Sequence, residues 1–143
     1  MDEHVPSVLF VCVKNAGKSQ MAAALMRQIA GGSVQVHSAG TAPGTALNVL
    51  SAASVAEVGA SMDGERPKPI DPELLRAVDR VVVIGDEAVV EPVPGMVGTI
   101  ETWTLDEPSA RGIEGDERMR LVREELAERV RRLAADLAVP SAV

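Results

Sequence analysis

Residues 8–20 read Val8-Leu9-Phe10-Val11-Cys12-Val13-Lys14-Asn15-Ala16-Gly17-Lys18-Ser19-Gln20. An apolar run followed at once by loop-forming residues predicts a buried strand from Ser7 to Cys12. Apolar residues at helical spacing predict a helix from Ser19 to Ala30, with Gly31-Gly32 as its stop signal. The only cysteine of the chain therefore lies where a buried strand passes through a loop into a helix N-terminus.

The same alternation of strand and helix continues along the chain. Apolar runs and helical spacing predict strands at 34–38, 80–84 and 98–104, and helices at 48–58, 72–78 and 116–137. Strands that alternate with helices form parallel sheets through right-handed crossovers. We therefore expect an α/β protein, with residues 1–143 as a single domain.

Three groups of polar or small residues directly follow predicted strands. They are Cys12, Gly40 and the pair Asp106–Glu107. Open α/β sheets bind ligands beyond the carboxyl ends of their strands, so these residues are expected to share one rim. A helix N-terminus and loop amides favour negative charge and a reactive thiolate, which predicts an oxyanion site with Cys12 as nucleophile.

The composition restricts the partners. The chain has 143 residues, a formal net charge of −7, one Trp, one Phe and no Tyr. An acidic protein with few aromatic side chains is a poor ligand for nucleic acid or for an anionic membrane. A single cysteine forms no internal disulfide and no multi-cysteine metal site, and we predict no metal centre. Reduced thiol chemistry and the absence of a long apolar run favour a cytoplasmic location.

Two interpretations of the Cys12 loop arise from its residues. Cys12 to Ser19 matches the nucleotide-binding pattern G-x-x-x-x-G-K-[ST] except at its first position, where Cys12 replaces glycine. The missing glycine and the short chain disfavour an NTPase. The other interpretation is a loop that activates a thiolate beside an oxyanion.

The thiolate loop carries a family resemblance. Cys12-x-x-Asn15-x-x-Lys18-Ser19-Gln20-Met21-Ala22, Ser38-Ala39-Gly40-Thr41, Arg66-Pro67-Lys68-Pro69 and a late Asp-Glu-Pro loop resemble the low-molecular-weight protein tyrosine phosphatases and thiol-dependent arsenate reductases. The resemblance implies a three-layer sandwich around a four-stranded parallel sheet. Gln20 after Ser19 is more similar to the arsenate reductases, and the scarcity of aromatic residues disfavours an aryl phosphoester.

The resemblance also implies roles for individual residues. Cys12 attacks the oxyanion, Ser19 hydrogen-bonds its thiolate, and Asn15 takes a left-handed backbone conformation that asparagine tolerates. An acid in the loop before Pro108 protonates the leaving oxygen. Either Glu107 or Asp106 fits this role, and position favours Glu107, which directly precedes the proline. The oxyanion is held by residues of the loop, namely Val13, Lys14, Asn15, Ala16, Gly17 and Lys18.

Two departures from the family pattern affect the expected reaction. Lys18 stands where the family usually has arginine, so a point charge replaces a planar fork. The family's resolving cysteines are absent, and reduction by a single thiol needs a second thiol from outside. The resemblance then implies an arsenate reductase that uses mycothiol with a mycoredoxin. The alternatives are a phosphotyrosine or phosphoester phosphatase, and a non-catalytic oxyanion-binding protein.

Other conspicuous residues are interpreted as structural. Lys68 between two prolines is expected to be a solvated loop residue, and His37 is given no chemical role. Trp103 fits either the wall of the site or the core. Arginines and glutamates intermix on the last helix, which predicts a solvated face of ion pairs.

Overall fold

The structure, a computed structural model, describes residues 4–138. Its strands are β1 (Ser7–Cys12), β2 (Gln35–Gly40), β3 (Arg80–Ile84) and β4 (Thr99–Trp103). Its α-helices are α1 (Lys18–Ala30), α2 (Val49–Ala56), α3 (Pro72–Ala77) and α4 (Gly115–Ala138), and short 3₁₀ turns cover Gly31–Ser33 and Pro108–Arg111. The predicted α/β class is therefore confirmed.

The four strands form one parallel sheet in the order β2-β1-β3-β4. After β1 the chain moves to β2 on one side, and it later returns to β3 and β4 on the other side. The direction of winding thus changes between β1 and β3. In open α/β sheets the crevice at such a switch point is the usual place for a ligand, and β1 ends there at Cys12.

Alternating side chains of the central strands build a core on each face of the sheet. Val8 and Phe10 pack with α1, α2 and α4, while Leu9 and Val11 pack with α3 and the segment after β3. All four side chains are fully buried. The sheet is therefore the middle of three layers, as the resemblance implied, and β1 is held rigidly from both sides.

Several element ends lie one or two residues from the predicted ones. The strand predicted at 34–38 runs instead from Gln35 to Gly40, because Gly40 pairs with Cys12 and its amide donates to the carbonyl of Lys68 at 2.8 Å. Ile29 shares the helical spacing of the buried face of α1, yet its side chain is 38% exposed in the last turn. The buried face of α1 ends with Met26.

The charged face of α4 forms ion pairs, as predicted, but Arg123 within it is buried rather than solvated. Arg120 and Arg123 both reach Glu57 of α2, at 2.7 and 2.8 Å, and Arg132 pairs with Glu128 one turn away. Two hydrogen-bonded guanidinium groups lower the pKa of Glu57 to about 2. Within residues 4–138 no helix is both long and apolar enough to cross a membrane.

Candidate active site

The sulfur of Cys12 lies at the end of β1 and accepts hydrogen bonds from the loop that follows. The backbone amide of Asn15 donates to Sγ at 3.2 Å, and Ser19 Oγ lies 2.9 Å from it. Ser19 Oγ also accepts a hydrogen bond from Asn15 Nδ2 at 2.7 Å, which leaves its own proton for Sγ. Two donors thus converge on the sulfur, an arrangement that a thiolate accepts.

Asn15 organises the loop behind the sulfur. Its φ of +54° confirms the predicted left-handed conformation, and the residue is fully buried. Its Oδ1 accepts from Gln20 Nε2 at 3.2 Å and from the backbone amide of Lys68 at 3.1 Å. One side chain therefore links α1 and the 66–69 segment to the hydroxyl that contacts Cys12.

The outer side of the loop is tied to the segment that follows β2. The carbonyls of Cys12, Val13, Lys14 and Ala16 accept hydrogen bonds from backbone amides of that segment at 2.8–3.0 Å; the donors are Thr41, Ala42, Gly44 and Asn48. Within residues 4–138 the amides of Val13, Lys14, Ala16 and Gly17 have no backbone acceptor. Gly17 is the N-cap residue of α1 and has no side chain that could cap the helix. Unpaired amides at a helix N-terminus are a binding site for an anion.

Close packing at Gly40 holds the loop in place. A Cβ built on Gly40 would lie 2.6 Å from the carbonyl oxygen of Val13 and 3.0 Å from the backbone nitrogen of Asn15. Glycine is therefore required at this end of β2 because the loop backbone passes directly over it. The Ser38-Ala39-Gly40-Thr41 motif thus supports the loop through the close approach at Gly40.

A cavity of about 600 Å³ opens above Cys12, between the carboxyl ends of β1, β3 and β4. Cys12, Val13, Lys14 and Lys18 form the loop side of its wall. Asn15 and Ser19 are buried behind them, and Ala16 and Gly17 lie outside the wall. The other lining residues are Ile84, Gly85, Asp86, Glu87, Ala88, Thr104, Leu105 and Glu107.

Of the two candidate acids, the structure places Glu107 in the cavity wall and Asp106 outside it. Arg118 of α4 grips Glu107 with two hydrogen bonds of 2.6 and 2.7 Å, and Lys18 Nζ lies 3.9 Å from Glu107 Oε1. The Arg118 guanidinium holds the pKa of Glu107 far below its usual range. Asp106 pairs instead with Arg111, at 2.6 and 2.7 Å.

Three residues of the site were missed or misinterpreted in the sequence. Lys68 was expected to be solvated, but its Nζ lies 3.0 Å from Ser38 Oγ and 3.4 Å from Asn15 Oδ1, and burial lowers its pKa. Gln20 is fully buried, with Nε2 bonded to Asn15 and to the carbonyl of Arg66, while its Oε1 has no hydrogen-bond partner among the described residues. Arg118 was grouped with the surface charges, and no local pattern indicates its contact with Glu107.

Trp103 belongs to the core. Its ring lies 5.8 Å from that of Phe10, and it is absent from the cavity wall. His37 is also remote from Cys12, on the first half of β2, and burial lowers its pKa. In the part of the chain that the structure describes, no group of three or more His, Cys, Asp or Glu side chains is arranged to hold a metal ion.

Comparisons with known proteins agree with this geometry. The family profile described as low molecular weight phosphotyrosine protein phosphatase matches residues 7–141. An arsenate reductase from Bacillus cereus is 33% identical over 135 residues, which cover 92% of this chain and 96% of the relative.

Two solved structures are similar as well. A thioredoxin-dependent arsenate reductase from Corynebacterium glutamicum superposes with a TM-score of 0.78 at 34% identity. The match covers 96% of this chain but only 64% of that longer chain. An arsenate reductase in its phosphate-binding state superposes with a TM-score of 0.80 at 28% identity, over 93% of this chain and 99% of the other.

Proposed function

This chain belongs to the low molecular weight phosphotyrosine protein phosphatase family, and on that basis we propose that it is an arsenate reductase with Cys12 as nucleophile. The observation that carries the proposal is a hydrogen-bonded sulfur facing a cavity in whose wall the candidate acid Glu107 is held by Arg118 with a lowered pKa. Relatives named arsenate reductases match nearly the whole chain and support the same substrate.

In the first step the Cys12 thiolate attacks arsenic of the arsenate monoanion. A sulfur–arsenic bond forms, an arsenic–oxygen bond breaks, and the departing oxygen leaves as water with both protons of the monoanion. The free amides at the start of α1 and the ammonium groups of Lys14 and Lys18 hold the remaining oxygens. Lys18 attracts the oxyanion as a point charge and orients it less strongly than an arginine would.

The state of Glu107 favours arsenate over a phosphoester. A phosphatase must protonate an ester oxygen as it leaves, and a positioned side-chain acid normally supplies that proton. Arg118 lowers the pKa of Glu107 far below its usual range, which disfavours the protonated form that would give a proton in this conformation. Arsenate carries the protons that its own leaving oxygen needs, and we therefore propose that Glu107 positions Lys18 through their 3.9 Å contact.

Completion of the reaction requires a thiol from outside the chain. Reduction of arsenate to arsenite takes two electrons, and Cys12 is the only sulfur nucleophile that the sequence contains. We propose that a small thiol attacks arsenic, breaks the sulfur–arsenic bond and regenerates the Cys12 thiolate. A redoxin thiolate then attacks the sulfur of the arseno-thiol, forming a mixed disulfide and releasing arsenite with the electron pair.

We propose mycothiol as that small thiol, with a mycoredoxin as the final reductant. The proposal rests on the resemblance of a single-cysteine chain to the mycothiol-dependent branch of the family. Such thiol chemistry belongs in a reducing compartment, so we also propose that the protein works in the cytoplasm.

The proposed function is tested by supplying arsenate together with one thiol at a time. The protein is incubated with mycothiol, glutathione or thioredoxin, and mass spectrometry identifies the arseno-thiol product. We expect a mycothiol adduct with the wild-type protein and none with Cys12→Ser. Turnover with thioredoxin alone would remove the external small thiol from the mechanism, and hydrolysis of phosphoesters without arsenate turnover would favour a phosphatase.

A further inference from the structure

We infer that Asp86 and Glu87 select the charge of the molecule that reaches Cys12, disfavouring anionic thiols and admitting neutral or cationic ones. Both residues follow β3 and line the same cavity as Cys12. The inference rests on the proposed function for the identity of the incoming molecule. It concerns access to the sulfur, however, and access can be measured without arsenate.

The first observation is that these two carboxylates have no cationic partner. Within residues 4–138 neither Asp86 nor Glu87 forms an ion pair, and both are exposed. Asp86 accepts a hydrogen bond from the neutral hydroxyl of Thr104, at 3.0 Å. Glu107 lies in the same wall, but its negative charge is balanced by the guanidinium of Arg118. The wall after β3 therefore presents two uncompensated negative charges to the cavity.

The second observation is where the positive charges of the cavity lie. Lys14 and Lys18 belong to the loop that receives the oxyanion, and Lys18 also contacts Glu107. Once an oxyanion is bound to Cys12, the positive charges of the two lysines are balanced by it. The incoming second molecule then meets the oxyanion and the two carboxylates, in a protein whose net charge is already −7.

The consequence is a preference set by electrostatics. A concave wall of one sign raises the local concentration of opposite or neutral molecules relative to like-charged ones. A thiol whose cysteinyl amine and carboxyl groups are both blocked enters without repulsion. A tripeptide thiol with two free carboxylates and one ammonium carries a net negative charge and is repelled. Asp86 and Glu87 are thus specificity-determining residues of the cavity.

The test uses two thiol-specific reagents of similar size and opposite charge. Trimethylammonium-ethyl and sulfonatoethyl methanethiosulfonate both react with a thiolate, which gains a disulfide bond while methanesulfinate leaves. Cys12 is the only cysteine of the chain, so the modification rate at low salt reports access to this sulfur alone. The measured quantity is the ratio of the cationic to the anionic rate, in which the intrinsic reactivity of Cys12 cancels.

The variants are Asp86→Asn with Glu87→Gln, and Glu91→Gln as the matched control. Glu91 is exposed in the same segment after β3 but does not line the cavity. At low salt we expect the ratio of the cationic to the anionic rate to be about tenfold lower in the double variant than in the wild type, since two nearby unit charges act oppositely on the two reagents. High salt screens these charges, so the ratio should then approach one. An unchanged ratio, or an equal fall in Glu91→Gln, overturns the inference.

A second measurement separates this inference from the proposed function. Arsenate-dependent turnover is measured with cysteamine and with 3-mercaptopropionate, and each variant is compared with the wild type for the same thiol. A shifted reagent ratio without arsenate turnover by any thiol retains the charge selection and refutes the reductase. Turnover with an unshifted reagent ratio retains the reductase and refutes the charge selection.

Discussion

Replacement of Gly40 by alanine tests whether the close approach of β2 to the Cys12 loop sets the geometry of the site. The new Cβ would lie 2.6 Å from the carbonyl oxygen of Val13, whereas ordinary contact begins at about 3.4 Å. Either the loop or the end of β2 must therefore move by about 0.8 Å. Such overpacking typically lowers the free energy of unfolding by about 1–3 kcal/mol.

A movement of that size also displaces the hydrogen-bond donors around the sulfur. Catalytic geometry that shifts by about 1 Å loses roughly 10²-fold in rate, so we expect Gly40→Ala to reduce arsenate turnover by about that factor. Urea unfolding measures the stability, and the rate of Cys12 alkylation measures the sulfur's surroundings directly. Turnover is measured at a temperature where the variant remains folded.

Gly44→Ala is the matched control. Gly44 lies in the same segment, but its added Cβ would be 3.7 Å from Lys14 Cβ, which is ordinary van der Waals contact. We expect wild-type stability and activity for this variant. If Gly40→Ala retained wild-type alkylation and turnover, or if both variants lost activity equally, the inferred role of the close approach would be refuted.

Four further predictions follow from the contacts of single side chains. Ser19→Ala removes the hydroxyl that donates to Cys12 Sγ, and a hydrogen bond to a charged group contributes about 1.5–3 kcal/mol. Alkylation of Cys12 at neutral pH should therefore slow by roughly 10–100-fold, whereas an unchanged rate would exclude the contact. Arg118→Met releases Glu107, and the pKa of this carboxyl should rise toward 4.5 in an NMR titration. Phosphoester hydrolysis should then increase at mildly acidic pH. If neither the pKa nor the hydrolysis rate changed, Arg118 would not hold the carboxylate. Lys68→Met removes the ammonium beside Asn15 and Ser38, and we expect about a tenfold loss of turnover with an unchanged unfolding midpoint. The pKa of Glu57 is about 2 in the folded protein and 4.5 in the unfolded chain, so its contribution to stability is complete above pH 4.5 and is lost as the pH falls toward 2. The difference in the free energy of unfolding between wild type and Glu57→Gln should therefore vanish over that range. A constant difference would contradict the ion pairs with Arg120 and Arg123.

Much of the fold could be predicted because its signals are local. The apolar run before Cys12 and the loop residues after it define β1 and the start of α1 within one short stretch. Asn15 is a residue that tolerates positive φ, and it occupies the one position of the loop that requires it. Alternation of strand and helix then implied a parallel sheet with Cys12 at its carboxyl edge.

The interactions that define the site are not local, and the sequence could not indicate them. Lys68 lies 53 residues from Asn15 along the chain, and its segment reaches the loop through tertiary contacts that include the bridge between Gly40 and Pro69. The prolines that flank Lys68 are typical of a surface loop, whether or not the lysine contacts the site. Ile29 shows that helical spacing can continue past the point where the helix leaves the core, since its side chain is 38% exposed.

By itself the sequence determined that a single thiol lies at a strand–loop–helix junction, without an internal partner that could complete a reduction. Only the tertiary structure decided which carboxylate faces that thiol, because Glu107 and Asp106 are chain neighbours that turn to different arginines. It also decided that Arg118 lowers the pKa of Glu107, and that within residues 4–138 Asp86 and Glu87 form no ion pair. Ionisation depends on the groups that folding brings within a few ångströms, and local sequence patterns do not record those groups.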